Sequence, residues 1–177
     1  MKELIIGCGK QKGKKLFSQD KTEDYNDPTT LDINPEVEPD VVHDLEVLPL
    51  PFKDDSFDEI HAYDVLEHTG QQGDYKFFFD QFSEFWRILK PNGILCAKVP
   101  TYDSIWTWGD PGHKRIINKG SLVFLSQKEY TKQVDETTSP MTDYRNIYTA
   151  DFDTVSEKAF GSYFGFVLSV VKGVCDA

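Results

Sequence analysis

The sequence predicts one α/β domain over residues 1–177: a doubly wound, mainly parallel sheet that finishes on an antiparallel C-terminal strand, with a degenerate first crossover helix. Three observations lead there. Short apolar runs recur along the N-terminal half without strict polar alternation, which is how strands covered on both faces read. The first of these runs passes straight into a glycine turn, Gly7-Cys8-Gly9. An amphipathic helical stretch then separates the fourth run from the fifth, as a crossover between parallel strands requires.

Each element has its own signal. Glu3–Gly7 is the first strand, and Leu31-Asp32-Ile33 the second, closed by Asn34-Pro35. Val41–Leu45, Phe57–Asp64 and Gly93–Val99 follow as the third to fifth. The clearest helix spans Asp74–Lys90, where Tyr75, Phe78, Phe79, Phe82, Phe85, Trp86 and Leu89 share one face. Pro91-Asn92-Gly93 stops it after a basic last turn. Val65–His68 suggests a helical turn before it, and Ser121–Tyr130 a further helix. Asn146–Val155 and Tyr163–Val171 read as two last strands joined by a glycine-containing turn. Between Lys10 and Thr30 the expected crossover helix has no apolar stripe, only Leu16, Phe17 and Tyr25. That stretch reads as a long loop or degenerate helix packed over the sheet edge through Leu16 and Phe17.

Composition narrows the function. Hydrophobic residues make up 39% of the chain, with thirteen Phe, enough to build a core. The formal net charge of -11 opposes nucleic-acid backbones and anionic membrane surfaces, which call for a basic face. No apolar run reaches the roughly 20 residues of a membrane span, and MKELIIGCGK carries no signal-peptide core. The three cysteines, Cys8, Cys96 and Cys175, stand far apart and outside any C-x-x-C pair. They read as reduced thiols of a cytoplasmic protein, with no metal site expected.

The glycine turn excludes some ligands. A triphosphate loop needs glycine where Cys8 stands, and Ser or Thr where Lys15 stands. A dinucleotide fingerprint accepts Gly7 and Gly9 but meets Lys12 at its third glycine. Asp32, at the end of the second strand, stands where an acid accepts ribose hydroxyls. After these come HDL at 43–45, LPLPFKDDSFDEIHAYDVLEH at 48–68, RILKPNGILCAKVP at 87–100 and WGDPGHKR at 108–115.

In this ordered series the chain resembles the class I S-adenosylmethionine-dependent methyltransferases, and more closely their small bacterial and phage members. The resemblance runs from Leu4 to about Arg115. It implies a Rossmann-like fold and S-adenosylmethionine as cofactor, with S-adenosylhomocysteine as product. It implies that Gly7, Cys8 and Gly9 admit the methionine part, Asp32 binds the ribose hydroxyls and Ile33 packs on the adenine. Asp44 would accept from the adenine amino group beside Leu45, and Tyr63 and Asp64 would line the methionine moiety. The turn would then cradle a carboxylate and a sulfonium, since backbone amides suit a carboxylate as well as a phosphate. The chain departs from the pattern at Lys10-Gln11-Lys12, where a third glycine is frequent, and at Asn92, where glycine is usual.

Several residues carry two readings. Leu48–Phe52 either closes over the adenine or is a proline-stiffened connection. Glu67-His68 either touches the ligands or holds a helical turn. The segment Ile105–Arg115 follows a strand carboxyl end and overhangs the transfer point. Trp108 and Asp110 are substrate candidates and His113 the candidate base; otherwise the segment is a structural loop with His113 bonded to backbone. No G-x-S-x-G elbow supports a hydrolase. The Pro-Pro turn of DNA-amino methyltransferases is replaced by Tyr63-Asp64-Val65-Leu66. The expected acceptor is therefore a small molecule or a saccharide, a sugar phosphate included because the bases Lys114 and Arg115 offer anion contact, with no nucleic acid and no membrane insertion, and the oligomeric state is left open. The alternatives are a cofactor-binding accessory protein without turnover and an NAD-binding oxidoreductase.

Overall fold

The computed structural model describes residues 1–10 and 27–173. The expected first crossover, with Leu16 and Phe17, and Cys175 lie outside the described residues. The strands are β1 (Glu3–Ile6), β2 (Thr29–Asp32), β3 (Val41–Val42), β4 (Phe57–Tyr63), β5 (Leu89–Pro100), β6 (Phe152–Phe160) and β7 (Tyr163–Val170). They form one sheet in the order β3-β2-β1-β4-β5-β7-β6. The pairs among β1 to β5 are parallel. Strand β7 runs antiparallel to both β5 and β6. The expected α/β architecture with an antiparallel C-terminal strand is the one observed.

Register explains the core. Leu4 pairs with Ile60 and Ile6 with Ala62, Ile60 with Leu95, and Leu95 with Leu168. Side chains on one sheet face recur every second residue, so these four strands present one apolar face. The helix α1 (Tyr75–Ile88) covers it with Phe79, Phe82, Phe85 and Ile88, all buried. Asp74 caps α1 by accepting from the Phe77 amide. Its end comes at Ile88, and Leu89 already pairs with Phe57 as strand. Asn92 takes the left-handed conformation in the irregular stretch that follows (φ 61°), where asparagine is the tolerated substitute for glycine.

The other face of the same strands carries buried polar groups beside Ile5. Glu3, His61 and Cys96 lie there. His61 Nδ1 lies 2.7 Å from the Tyr63 hydroxyl and its Nε2 lies 3.0 Å from Glu59.

Several boundaries differ from expectation. The third strand is short because Asp44 accepts from the Glu46 amide and turns the chain. The helix expected over Ser121–Tyr130 is two, α3 (Lys119–Val123) and α4 (Gln127–Tyr130), after α2 (Ile105–Gly109). Asn118 and Ser126 each cap one, and the Leu125 carbonyl between them is drawn to Phe152 N and Tyr148 Oη. Strand β6 starts at Phe152 rather than Asn146, because the Tyr148 and Ala150 carbonyls accept from the Gln127 side chain. Gly161, in the left-handed conformation, joins it to β7.

Leu48–Phe52 is a fixed connection. Glu84 accepts from the Leu50 amide, and Arg87 donates to the Leu50 and Phe52 carbonyls and pairs with Glu84 and Asp54. Arg87→Met should therefore lower stability by roughly 1.5–3 kcal/mol, the range for hydrogen bonds to charged groups. A thermal midpoint unchanged by calorimetry would show that this network adds nothing. Among the described residues no helix is long and apolar enough to cross a membrane.

Candidate active site

The carboxyl ends of β1, β2 and β4 and the turn after β3 meet at one edge of the sheet. A cavity of about 430 Å³ opens there, lined by Gly7, Gly9, Asp32, Ile33, Asp44, Leu45 and Asp64. This is the edge at which open α/β sheets bind ligands. Gly7 has φ 60°, and a Cβ on it would stand 2.4 Å from Val65. Gly9 has φ 52°, and nothing lies within 4 Å of the position a Cβ would take. One glycine is thus required by packing, while the other leaves open space against the cavity.

Asp32 fastens two of these loops. Its Oδ2 accepts from the Gly9 amide and its Oδ1 from the Asn34 amide, both at 2.9 Å. Ile33 beside it is 63% exposed, an apolar side chain open to a ligand. Asp64 follows β4 in the left-handed conformation, and Lys98 reaches it at 2.7 Å. Cys8 and Tyr63 are buried outside the lining of the cavity. For Tyr63 the reason is strand alternation: it pairs with Lys98 on the polar face and bonds to His61.

The structure also brings in residues that were not expected at the cofactor cavity. Glu46, Val65, Thr69 and Lys114 line the cavity, as do His43 and His68. Lys114 Nζ contacts Glu46 Oε1 at 2.7 Å, which holds the Glu46 carboxyl below its ordinary range. An acid directly after Asp44-Leu45 was the available signal for Glu46. Lys114 had none, because its partner is distant in the chain.

The segment after β5 packs onto the turn after β4. Lys114 N donates to Glu67 O, Gln72 N to Lys114 O, and His68 Nδ1 to Gly112 O. Arg115 is buried beneath, donating to Leu66 O, Thr69 Oγ1 and the Gln81 side chain. Burial lowers its pKa to about 10. Gln81, fully buried on α1, is explained by this partnership.

Asp110 shapes the turn by accepting from Gly112 N at 2.7 Å, and its Oδ2 lies 3.8 Å from His113 Nε2. His113 packs edge-on against His68, ring centroids 4.6 Å apart. Trp106 and Trp108 on α2 are 59% and 73% exposed. Glu67 is buried, and desolvation raises its pKa to about 7.

A second cavity of about 430 Å³ flanks the same two segments on the side of α1. Its walls include Tyr75, Phe78, Phe79, Phe124 and Tyr144, with Gln72, Asp74 and Asn118 among its polar groups.

An open sheet in this order, with a ligand-sized cavity over the ends of β1, β2 and β4, defines a nucleotide-type cofactor-binding α/β protein. The methyltransferase-domain family model matches residues 4–97, and the chain belongs to that family. By family it is an S-adenosylmethionine-dependent methyltransferase. Solved structures of similar fold include a SAM-dependent methyltransferase from Archaeoglobus fulgidus, with 16% identity and TM-score 0.59, covering 95% of this chain and 85% of that one. A complex between the Haloferax volcanii Trm112 methyltransferase activator and a methyltransferase gives 14% identity and TM-score 0.63, covering 97% and 83%. The N-methyltransferase NodS from Bradyrhizobium japonicum, in complex with S-adenosylhomocysteine, gives 12% and 0.56, covering 97% and 78%. No curated protein sequence matches the chain.

Proposed function

We propose that the chain binds S-adenosylmethionine in the cavity at the strand ends and transfers its methyl group to a neutral small-molecule or saccharide-type acceptor. The observation that carries this reading is convergence. Gly7, Gly9, Asp32, Ile33, Asp44, Leu45 and Asp64 come from four separate strand ends and line one cavity.

The residues present fit the cofactor. Each Asp32 oxygen accepts one backbone N–H and retains a lone pair for a ribose hydroxyl. Ile33 and Leu45 offer apolar contact for a purine, and Asp44 an acceptor for its amino group. The bare backbone at Gly9 leaves room for the amino-acid end. Glu46 and Asp64 are paired with Lys114 and Lys98, and the carboxylates of Asp32 and Asp44 beside them favour a cationic ligand. Bound there, the cofactor supplies a methyl group on positively charged sulfur. The task left to the protein is mainly alignment, which can contribute roughly 7–11 kcal/mol.

The acceptor reading rests on the segment Ile105–Arg115. Trp106 and Trp108 present exposed rings suited to stacking on a sugar or other flat face. Lys114 is paired with Glu46 and Arg115 is buried, so neither draws an anionic acceptor. For a hydroxyl acceptor, His113 with Asp110 is the assigned proton-accepting group; an amine needs none.

Two measurements test the reading. Calorimetric titration should show saturation by S-adenosylmethionine and S-adenosylhomocysteine and no binding of NAD. Radiolabelled methyl should then pass to saccharides or other small acceptors. Robust labelling of duplex DNA, tRNA or bulk protein would overturn the acceptor class. Cofactor binding with no labelling of any acceptor would favour an accessory role instead.

A further inference from the structure

Where the turn after β4 meets the segment after α2, Glu67, His68 and His113 each bring one ligand-type atom within 4.8 Å of the others. Two of their atoms lie buried without any hydrogen-bond partner: Glu67 Oε2 and His113 Nδ1. Buried polar atoms are rarely left unmatched, and each one needs a reason. These two do not bond to each other.

The histidines are set up as ligands in a further respect. His68 Nδ1 lies 3.1 Å from the Gly112 carbonyl. A carbonyl only accepts, so Nδ1 carries the proton and Nε2 keeps the lone pair. His113 Nε2 faces Asp110 Oδ2 at 3.8 Å, which favours the proton on Nε2 and the lone pair on the buried Nδ1. An oxygen behind one ring nitrogen, with the other left to coordinate, is the usual outer-shell arrangement of metal-ligating histidines.

The second cluster of this kind among the described residues, Glu3, Glu59 and His61, contrasts with it. There both ring nitrogens of His61 are engaged, by Tyr63 and Glu59.

We propose that Glu67, His68 and His113 form a site for one divalent transition-metal ion, with Zn²⁺ as the fitting probe. Two imidazoles and one carboxylate suit such an ion and leave coordination positions open. The sequence offers no metal-ligand spacing to announce it, since His113 is brought to Glu67-His68 only by the packing of two loops. His68 also lines the cofactor cavity, so the ion would sit beside the transfer point. The functional consequence rests on the methyl-transfer reading. A hydroxyl oxygen on the ion would be acidified and release its proton to water, its electron pair would form the new bond to the methyl carbon, and the carbon–sulfur pair would leave with a neutral thioether. His113 would then be a ligand, and the ion would take over the task assigned to a base.

The test uses the full chain, stripped with chelator and titrated with zinc chloride by calorimetry. The expected result is saturation at one ion per chain. Glu67→Gln and His113→Gln should each weaken binding by more than about tenfold. Asp110→Asn, which keeps an oxygen for the Gly112 amide and removes the charge behind His113, should weaken it by roughly 10- to 100-fold. Glu59→Gln, in the other cluster, should leave it unchanged. Cobalt(II) gives a second readout on the unmodified chain, with visible ligand-field bands expected, so the proposal remains testable if a variant fails to fold. No saturable zinc binding, no such bands, or affinity indifferent to both ligand substitutions would overturn it. S-adenosylmethionine titration of the same sample separates the two readings. Cofactor binding without zinc removes only the metal site, and zinc binding without the cofactor removes only the proposed cofactor cavity.

Discussion

Asp32→Ala is expected to weaken S-adenosylmethionine binding by at least about tenfold. The carboxylate does two jobs. It accepts from the Gly9 and Asn34 amides and so ties the loop after β1 to the one after β2. It also presents its remaining lone pairs to the cavity. Hydrogen bonds to a charged acceptor are worth roughly 1.5–3 kcal/mol, and removing this group loses those to the ligand and loosens the loops that frame it. Asp32→Asn keeps the shape, but its amide nitrogen cannot accept from the backbone N–H it would face, so it should recover only part of the affinity. Calorimetry with a matched thermal melt checks this. Wild-type affinity in folded Asp32→Ala would remove Asp32 from the site.

Gly7→Ala is expected to destabilise the whole fold by about 2–5 kcal/mol. Two costs add: the left-handed conformation for an alanine, roughly 1–2 kcal/mol, and insertion of a Cβ into space that Val65 occupies, roughly 1–3 kcal/mol. For a chain of this size the thermal midpoint should fall by on the order of 10 °C. Gly9→Ala is the instructive partner. It shares the backbone conformation, but its Cβ meets nothing, so it should cost only the conformational part. Equal melting of the two variants would show that the Val65 contact gives way without cost.

The placement of Glu67 and His113 shows how far a local reading reaches. Glu67-His68 was visible as a pair and His113 as a candidate, each with a bland alternative. What joins them is a set of hydrogen bonds between the two segments, from the Lys114 and Arg115 amides to the Glu67 carbonyl and from the His68 ring to the Gly112 carbonyl 44 residues on, together with the burial of Arg115 under α1. Neither partner segment carries a mark of the other.

The sequence by itself determined the elements whose signals are local. Apolar runs set the parallel strands, the aromatic stripe of α1 set the covered face, and the Gly7 turn with Asp32 marked the ligand edge. These signals act within a few residues, where periodicity and turn chemistry operate. Tertiary structure alone decided the rest. It sent Tyr63, the last residue of β4, to the polar face by strand alternation, while Asp64 beyond the strand end, in the left-handed conformation, lines the cavity. It split the helix after Asn118 and delayed β6 to Phe152, because Leu125, Tyr148 and Ala150 carbonyls found partners distant in the chain. It also turned Lys114 and Arg115 from free cations into committed ones, since Glu46, Gln81 and the Leu66 carbonyl become their neighbours only when the sheet edge is assembled.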